Sequence, residues 1–386
     1  MKSPIKVLAL VPYPLGQAPS QRYRIEQWQP YLEQERISLD LSPFATEGLM
    51  RVFYRQGHLP SKAWGLAAAC IRRSLQLTEL RRYDAVLIHR AACLAGPAVL
   101  ERAIALSRKP FIFDFDDAIY LLHTTSANEP FGWMKFAGKT ASICRASAHV
   151  VVGNSYLADY ARQYNPQVTI IPSSVDTERY CPRGTETFNP SIVVGWMGSS
   201  TSQTHLEAFA PVMRELFTRP GVELRIISDR EPILPSVPFV WRRWSPEREV
   251  HELAQFDIGI MPMPDDPWTR GKCAMKALLY MSMGVPVICS AVGTNREVIV
   301  HGSNGLLAST SEEWVAGLDR LVADPAERER LGVAGRHTVE ERYSKEHCAA
   351  RFARVIEQTI EKKRPATGYD LADPKVMSEE HSLSRN

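Results

Sequence analysis

Short aliphatic and β-branched runs recur along the chain, each followed by a helix-length amphipathic segment. Residues 6–11, 85–89, 111–115, 150–152 and 169–171 read as strands of one sheet. Residues 192–196, 223–227, 237–241, 258–261 and 286–289 read as strands of a second. These runs are apolar throughout rather than alternating. That pattern predicts strands buried on both faces, in parallel sheets covered by crossover helices. A polar stretch without helical or strand period, RGTETFNP at 183–190, separates the two sets. The predicted fold class is α/β, with two Rossmann-like domains, residues 1–185 and 186–345, facing across a cleft. From 326 to 363 the pattern is helical and highly charged, and residues 346–363 are expected to cross back onto the first domain. Residues 364–386 lack periodicity and read as a disordered tail.

Sheets of this kind bind ligands beyond the C-terminal ends of their strands, so the architecture predicts a cleft without naming a chemistry. Composition narrows the class. A chain of 386 residues, 45% hydrophobic and 23% charged, can bury two ordinary cores and is not of the disordered type. A net charge of +3 gives no case for a nucleic-acid partner. The seven cysteines are scattered and none forms a CxxC pair, so neither a zinc site nor a disulfide framework is indicated. Reduced thiols in a cytoplasmic protein are expected. No uncharged apolar stretch reaches the ~18 residues that suggest a membrane span. Pro12 and Pro14 interrupt the apolar run near the N-terminus, unlike a signal peptide.

The most chemistry lies in DIGIMPMPDDPWTRGKCAMKALLYMSMGVPVICSAVGTNREVIVHGSNGLL, residues 257–307. A helix is expected to start near Gly271, so that Arg270, Lys272 and free backbone N–H groups meet at one helix N-terminus, a recipe for binding phosphate. Lys276 is expected one turn further, on the same face as Lys272. Cations there oppose the helix dipole, and a bound anion explains them better than a solvated surface. Gly293 falls at a tight turn before another helix, with Glu297 in its first turn.

In order and spacing, GKCxxK, LLxYMxxGVPVI, xxVGxNxEV and xxGxNGLL resemble the nucleotide-sugar domain of family 4 retaining glycosyltransferases. The resemblance extends over most of the chain. It implies the GT-B fold and a nucleotide-diphosphate sugar as co-substrate, with no cofactor and no metal. It also implies transfer with retention to a glycan or lipid-linked acceptor, in a setting such as polysaccharide assembly. Glu297 matches the acidic residue after the family's glycine turn. The family's Glu-x7-Glu pair falls on Gly271 and Leu279, so both carboxylates are missing. Two alternatives follow: a non-catalytic nucleotide-sugar-binding subunit, and a nucleotide-sugar epimerase on the same scaffold.

Other segments fit around this core. Gly198, Ser199 and Ser200 in VVGWMGSSTSQTHLEAF offer a second phosphate cradle, with one hydroxyl expected to cap a helix. By resemblance, VWRRW at 240–244 lines the base pocket. In the first half, Gly16 lets the backbone approach a ligand. Arg22 and Arg24 face donor phosphates, an acidic acceptor or solvent. FDFDDAIY sets Asp114, Asp116 and Asp117 at a strand end, where carboxylates suit a base, an acceptor contact, a divalent ion or a helix cap. Asp114 or Asp117 is expected to face the acceptor, Lys272 to stabilise the leaving group, and His89 with Arg90 to stand second at another strand end that could face the cleft. Residues 60–82, with Arg72, Arg73, Arg81 and Arg82, and FGWMKF at 131–136 suit either an ordinary packed helix or an interfacial one. A lipid-linked acceptor would favour peripheral contact with the inner face of a membrane.

Overall fold

The computed structural model describes residues 4–362 other than 54, 56, 95, 122–135, 137, 183–190, 218 and 219. The polar connection at 183–190, the tail from 364 and all of FGWMKF but Phe136 lie outside the described residues. Strands β1 (Ile5–Val11), β2 (Ile37–Pro43), β3 (Ala85–His89), β4 (Phe111–Phe115), β5 (His149–Val152) and β6 (Val168–Ile170) form one sheet, in the order β2-β1-β3-β4-β5-β6. Strands β7 (Ile192–Met197), β8 (Val222–Ser228), β9 (Val240–Arg243), β10 (Ile258–Met261), β11 (Val287–Ser290) and β12 (Leu306–Ala308) form the other, in the order β12-β11-β10-β7-β8-β9. Every pairing is parallel. This is the predicted α/β class, with each expected strand present and some boundaries moved. The strand read at 237–241 runs instead from Val240 to Arg243.

Burial explains the pattern. The central strands AVLIH and FIFDF are buried at every position, as crossover helices on both faces require. Strand β2, ISLDLSP, stands at an edge with several half-exposed positions, so it lacks the continuous apolar run that marks its neighbours.

The chain crosses between the sheets twice, and the crossings are stitched together: Val175 donates to the Tyr343 carbonyl at 2.8 Å, and Lys345 to that of Val175 at 3.0 Å. After the second crossing, the helix Lys345–Glu361 is capped by Ser344 and packs on the first sheet. It buries Cys348, Phe352, Val355 and Ile356 among Val7, Trp28 and Leu39, with the Phe352 and Trp28 rings 5.2 Å apart. Among the described residues, no helix is long and apolar enough to cross a membrane.

Two glycines seat the helix that carries Lys276. Gly195 of β7 and Gly259 of β10 are in register on adjacent strands. A Cβ on Gly195 would lie 2.1 Å from the Phe256 ring, and one on Gly259 2.4 Å from the Tyr280 ring. These rings therefore rest directly on the sheet, and the Tyr280 hydroxyl accepts the Met197 N–H at 2.8 Å. Gly259→Ala pushes Tyr280 off the sheet. It is expected to lower stability by about 1–3 kcal/mol, read as a reduced urea midpoint at unchanged m.

Candidate functional site

A cavity of about 560 Å³ opens between the sheets. It lies where both strand orders reverse, between β1 and β3 in one sheet and between β7 and β10 in the other. The first domain contributes Tyr13, Ser20, Tyr23, Arg90, Asp116 and Asp117; the second contributes Ser199, Thr201, Met261, Lys272, Cys273 and Lys276.

The second-domain wall differs from expectation in its helix start. Asp266 and Thr269 form a capping box that begins a short helix, Pro267–Arg270, which ends at Gly271. The chain turns through Ala274, whose φ of 52° is left-handed, and the long helix begins only at Met275. Lys272 therefore lies in the turn before the helix and Lys276 in its first turn, so the two do not share a helix face. Both nevertheless line the cavity. The Lys272 ammonium sits 5.1 Å from the centre of the Trp268 ring and that of Lys276 5.5 Å from Trp196. Among the described residues neither ammonium pairs with a carboxylate. Burial, with the Lys272 charge beside it, pulls the Lys276 pKa down to about 8. Arg270 points elsewhere, to Asp265 at 2.6 Å on the surface.

In the serine loop, Ser199 and Thr201 line the cavity and their hydroxyls lie 2.7 Å apart. Ser200 is turned away, its N–H and hydroxyl bound to Asp229 at 2.5 and 2.8 Å. Gly198 serves packing, since a Cβ would meet the Trp196 ring at 2.5 Å. Residues 240–244, expected at a base pocket, lie in and just after β9 at the sheet's far edge, outside the cavity lining.

The first-domain wall reorders the predicted carboxylates. Asp114 does not face the cleft: it is 0% exposed, gripped by Arg24 through Nε at 3.1 and 3.2 Å and Nη2 at 2.5 Å. His89 Nδ1 lies 2.7 Å from its other oxygen, and Ser20 Oγ lies 3.0 Å from His89 Nε2. Burial alone would raise the Asp114 pKa, but the Arg24 charge and the His89 and Arg24 hydrogen bonds hold it down at about 2. Arg24 and His89 are likewise 0% exposed, and neither lines the cavity. Asp116 and Asp117 do reach the cavity, both bound to Arg90, whose Nη2 lies 2.8 Å from Asp116. Arg22 lies beside Glu249 at 3.9 Å, and Gly16 gives its N–H to Glu26 at 2.9 Å; both lie outside the lining. Arg90 and Thr201, read from a strand end and from the serine loop, line the cavity, whereas Tyr13 and Ser20 are cavity residues that sequence reasoning did not single out. The strand end at His89-Arg90 was the one signal for Arg90.

The two walls touch at their rims. Asn154 caps the helix Ser155–Arg162 and donates across the cleft to Lys272 O at 3.1 Å and Thr294 Oγ1 at 2.8 Å. Glu297 accepts from Ser155 Oγ at 2.5 Å, so it joins the domains rather than lining the cavity. Gly293, with φ of 49°, presses on Arg270: a Cβ there would meet its backbone at 2.8 Å. At Gly271 a Cβ would lie 2.8 Å from that of Ala118. The position of the absent glutamate is thus filled by the facing domain.

Removing the Asp114 charge should strand a buried guanidinium. Asp114→Asn is expected to cost about 3–5 kcal/mol at pH 7. Because folding lowers this pKa, the contribution is full above the ordinary carboxylate range near ~4 and is lost as pH falls toward about 2. Urea midpoints of the variant and the wild type should accordingly converge in strong acid.

Residues 191–324 match the family described as "Glycosyl transferases group 1". The MMP alpha-(1->4)-mannosyltransferase of Mycolicibacterium hassiacum is 24% identical over 210 residues, a match spanning 50% of this chain and 49% of that protein. Among solved structures, the sucrose-phosphate synthase of Thermosynechococcus elongatus superposes with a TM-score of 0.68 at 15% identity, covering 94% of this chain and 100% of that one. Anabaena HepE in complex with UDP and glucose gives 0.64 at 14% identity, covering 92% and 100%. What these two structures share with the chain is the fold. Residues 191–324 thus resemble a group 1 glycosyl transferase domain, set in a chain with the two-domain GT-B fold.

Proposed function

We propose that the protein transfers a sugar from a nucleoside-diphosphate sugar to a glycan or lipid-linked acceptor. The observation that carries this reading is the pair of ammonium groups, Lys272 and Lys276, on one cavity wall with no carboxylate partner among the described residues. Such a site favours a polyanion, and the same two charges would stabilise the diphosphate as it leaves. Ser199 and Thr201 supply neutral hydrogen bonds beside them. Across the cleft, Asp117 is the more open carboxylate, with 23% of its side chain exposed against 7% for Asp116. It is the group we assign to the incoming acceptor hydroxyl. Retention at the anomeric carbon is part of the proposal through the family resemblance. The curated relative is a mannosyltransferase and HepE was solved with UDP and glucose, which supports a hexose donor.

The acceptor side also presents an apolar stripe. The helix Leu59–Gln76 exposes Leu59, Trp64, Ile71 and Leu75 by 56–76%. Residues 47–82 hold seven Lys and Arg against two Glu. Met50, of the helix Glu47–Phe53 that packs on this one, lines the cavity. We assign this face to an anionic membrane surface, against which a lipid-linked acceptor would reach the cleft.

A thermal-shift screen with UDP, GDP and ADP tests the donor site. The matching nucleotide at about 100 times its dissociation constant should add about 2.7 kcal/mol of stability. Lys272→Ala should abolish that shift. Affinity should be full below pH about 8 and fall above it as Lys276 loses its proton, and Lys276→Met should flatten the fall. No shift with any nucleotide would refute the reading. Binding without release of nucleotide from its sugar conjugate would point to the non-catalytic alternative. For the membrane face, wild-type protein should co-sediment with phosphatidylserine vesicles, and Trp64→Glu with Ile71→Glu should stay in the supernatant.

A further inference from the structure

Ser20 lines the cavity, yet the inner side of its hydroxyl is already committed to His89 Nε2 at 3.0 Å. Behind His89 stands Asp114, 2.7 Å from Nδ1, and behind Asp114 stands Arg24. The three are 0% exposed, so hydrogen-bond polarity along the string is settled without solvent. The Asp114 carboxylate is ionised and only accepts, so His89 Nδ1 carries a hydrogen. The negative charge of Asp114 is matched by Arg24 and that of nearby Asp116 by Arg90, so an imidazolium would add a buried cation with no counterion in contact beyond the one Arg24 already holds. His89 is therefore the neutral bridge, and its Nε2 only accepts. Ser20 must donate to it. A hydroxyl has one hydrogen, and here it points away from the cleft.

We infer that Ser20 is a fixed acceptor in the cavity wall that binds a hydroxyl of the donor's sugar and not its diphosphate; this rests on the transferase reading above. A phosphate oxygen opposite Ser20 would set lone pairs against lone pairs, whereas a sugar hydroxyl can donate. The arrangement separates the two halves of the donor: anion on the lysine wall of the second domain, sugar toward the first. Arg24, Asp114 and His89 are positioning residues that act through Ser20. The order Ser-His-Asp also activates serine nucleophiles, where the carboxylate stabilises an imidazolium as it forms. Here Arg24 has already matched that carboxylate, so the string orients a hydroxyl and does not activate it.

The test compares two affinities by calorimetry: UDP, GDP or ADP alone, and UDP-glucose, GDP-mannose or ADP-glucose, on wild type, Ser20→Ala and Ser20→Thr. Ser20→Ala should bind the bare diphosphate as wild type does and the nucleotide sugar about 3- to 10-fold more weakly, the loss expected for one hydrogen bond. Ser20→Thr keeps a hydroxyl and should recover most of that affinity, which loss of packing would not predict. Equal weakening of diphosphate and nucleotide sugar would overturn the assignment by placing Ser20 at the phosphates. So would an unchanged nucleotide-sugar affinity, or covalent labelling of Ser20 by a fluorophosphonate. In those cases an intact response of wild type to the diphosphate leaves the transferase reading standing. A wild-type chain that binds no diphosphate sinks both.

Discussion

The ion pair between Arg24 and Asp114 is the constraint on which the first domain's side of the cleft depends. Both partners are sealed from water, and a charge in that position is tolerable only with its counterion in contact. The guanidinium does more than neutralise. Its Nη1 also donates to the Ile171 carbonyl at 2.7 Å, where the chain leaves the first sheet for the second domain. One side chain thus joins the helix after β1, the end of β4 and the start of the crossing. The cleft wall and the connection between domains share an anchor, so the geometry of one is set by the other.

Chemically the cavity is divided by domain. The second domain brings ammonium groups and small hydroxyls, and the first brings carboxylates restrained by Arg90. The Asn154 amide spans the gap between them, because a single side chain both caps a first-domain helix and bonds to the turn that carries Lys272. Cys273 adds a further tie, its Sγ 3.1 Å from the Asp116 carbonyl. The two walls are therefore in register to within one set of hydrogen bonds.

Much of the fold was legible because burial on both faces writes itself as continuous apolar runs. Strand β2 was missed because its edge position leaves it partly polar, and β12 because Leu306–Ala308 is too short to stand out. The site was less legible for a different reason. Lys272 and Lys276 were visible as cations beside a helix, but the helix start depended on a capping box upstream and on one left-handed residue, Ala274. Among the carboxylates, spacing could not tell that Asp114 points to a partner 90 positions earlier in the chain while Asp117 points to the cleft. Glu297 was found by its motif, yet it holds the domain contact, which no local pattern specifies, while Gly293 packs on Arg270 within its own domain.

The helix Lys345–Glu361 carries a consequence for how the protein is made. It supplies part of the first sheet's core, although its residues follow the whole second domain in the chain. During synthesis the early strands emerge first, with Val7, Trp28 and Leu39 on a face that nothing yet covers. The second domain can close its own core while that face waits. The ribosome thus delivers the later domain complete before the earlier one, and the first half depends on the second for its final layer as well as for its chemistry.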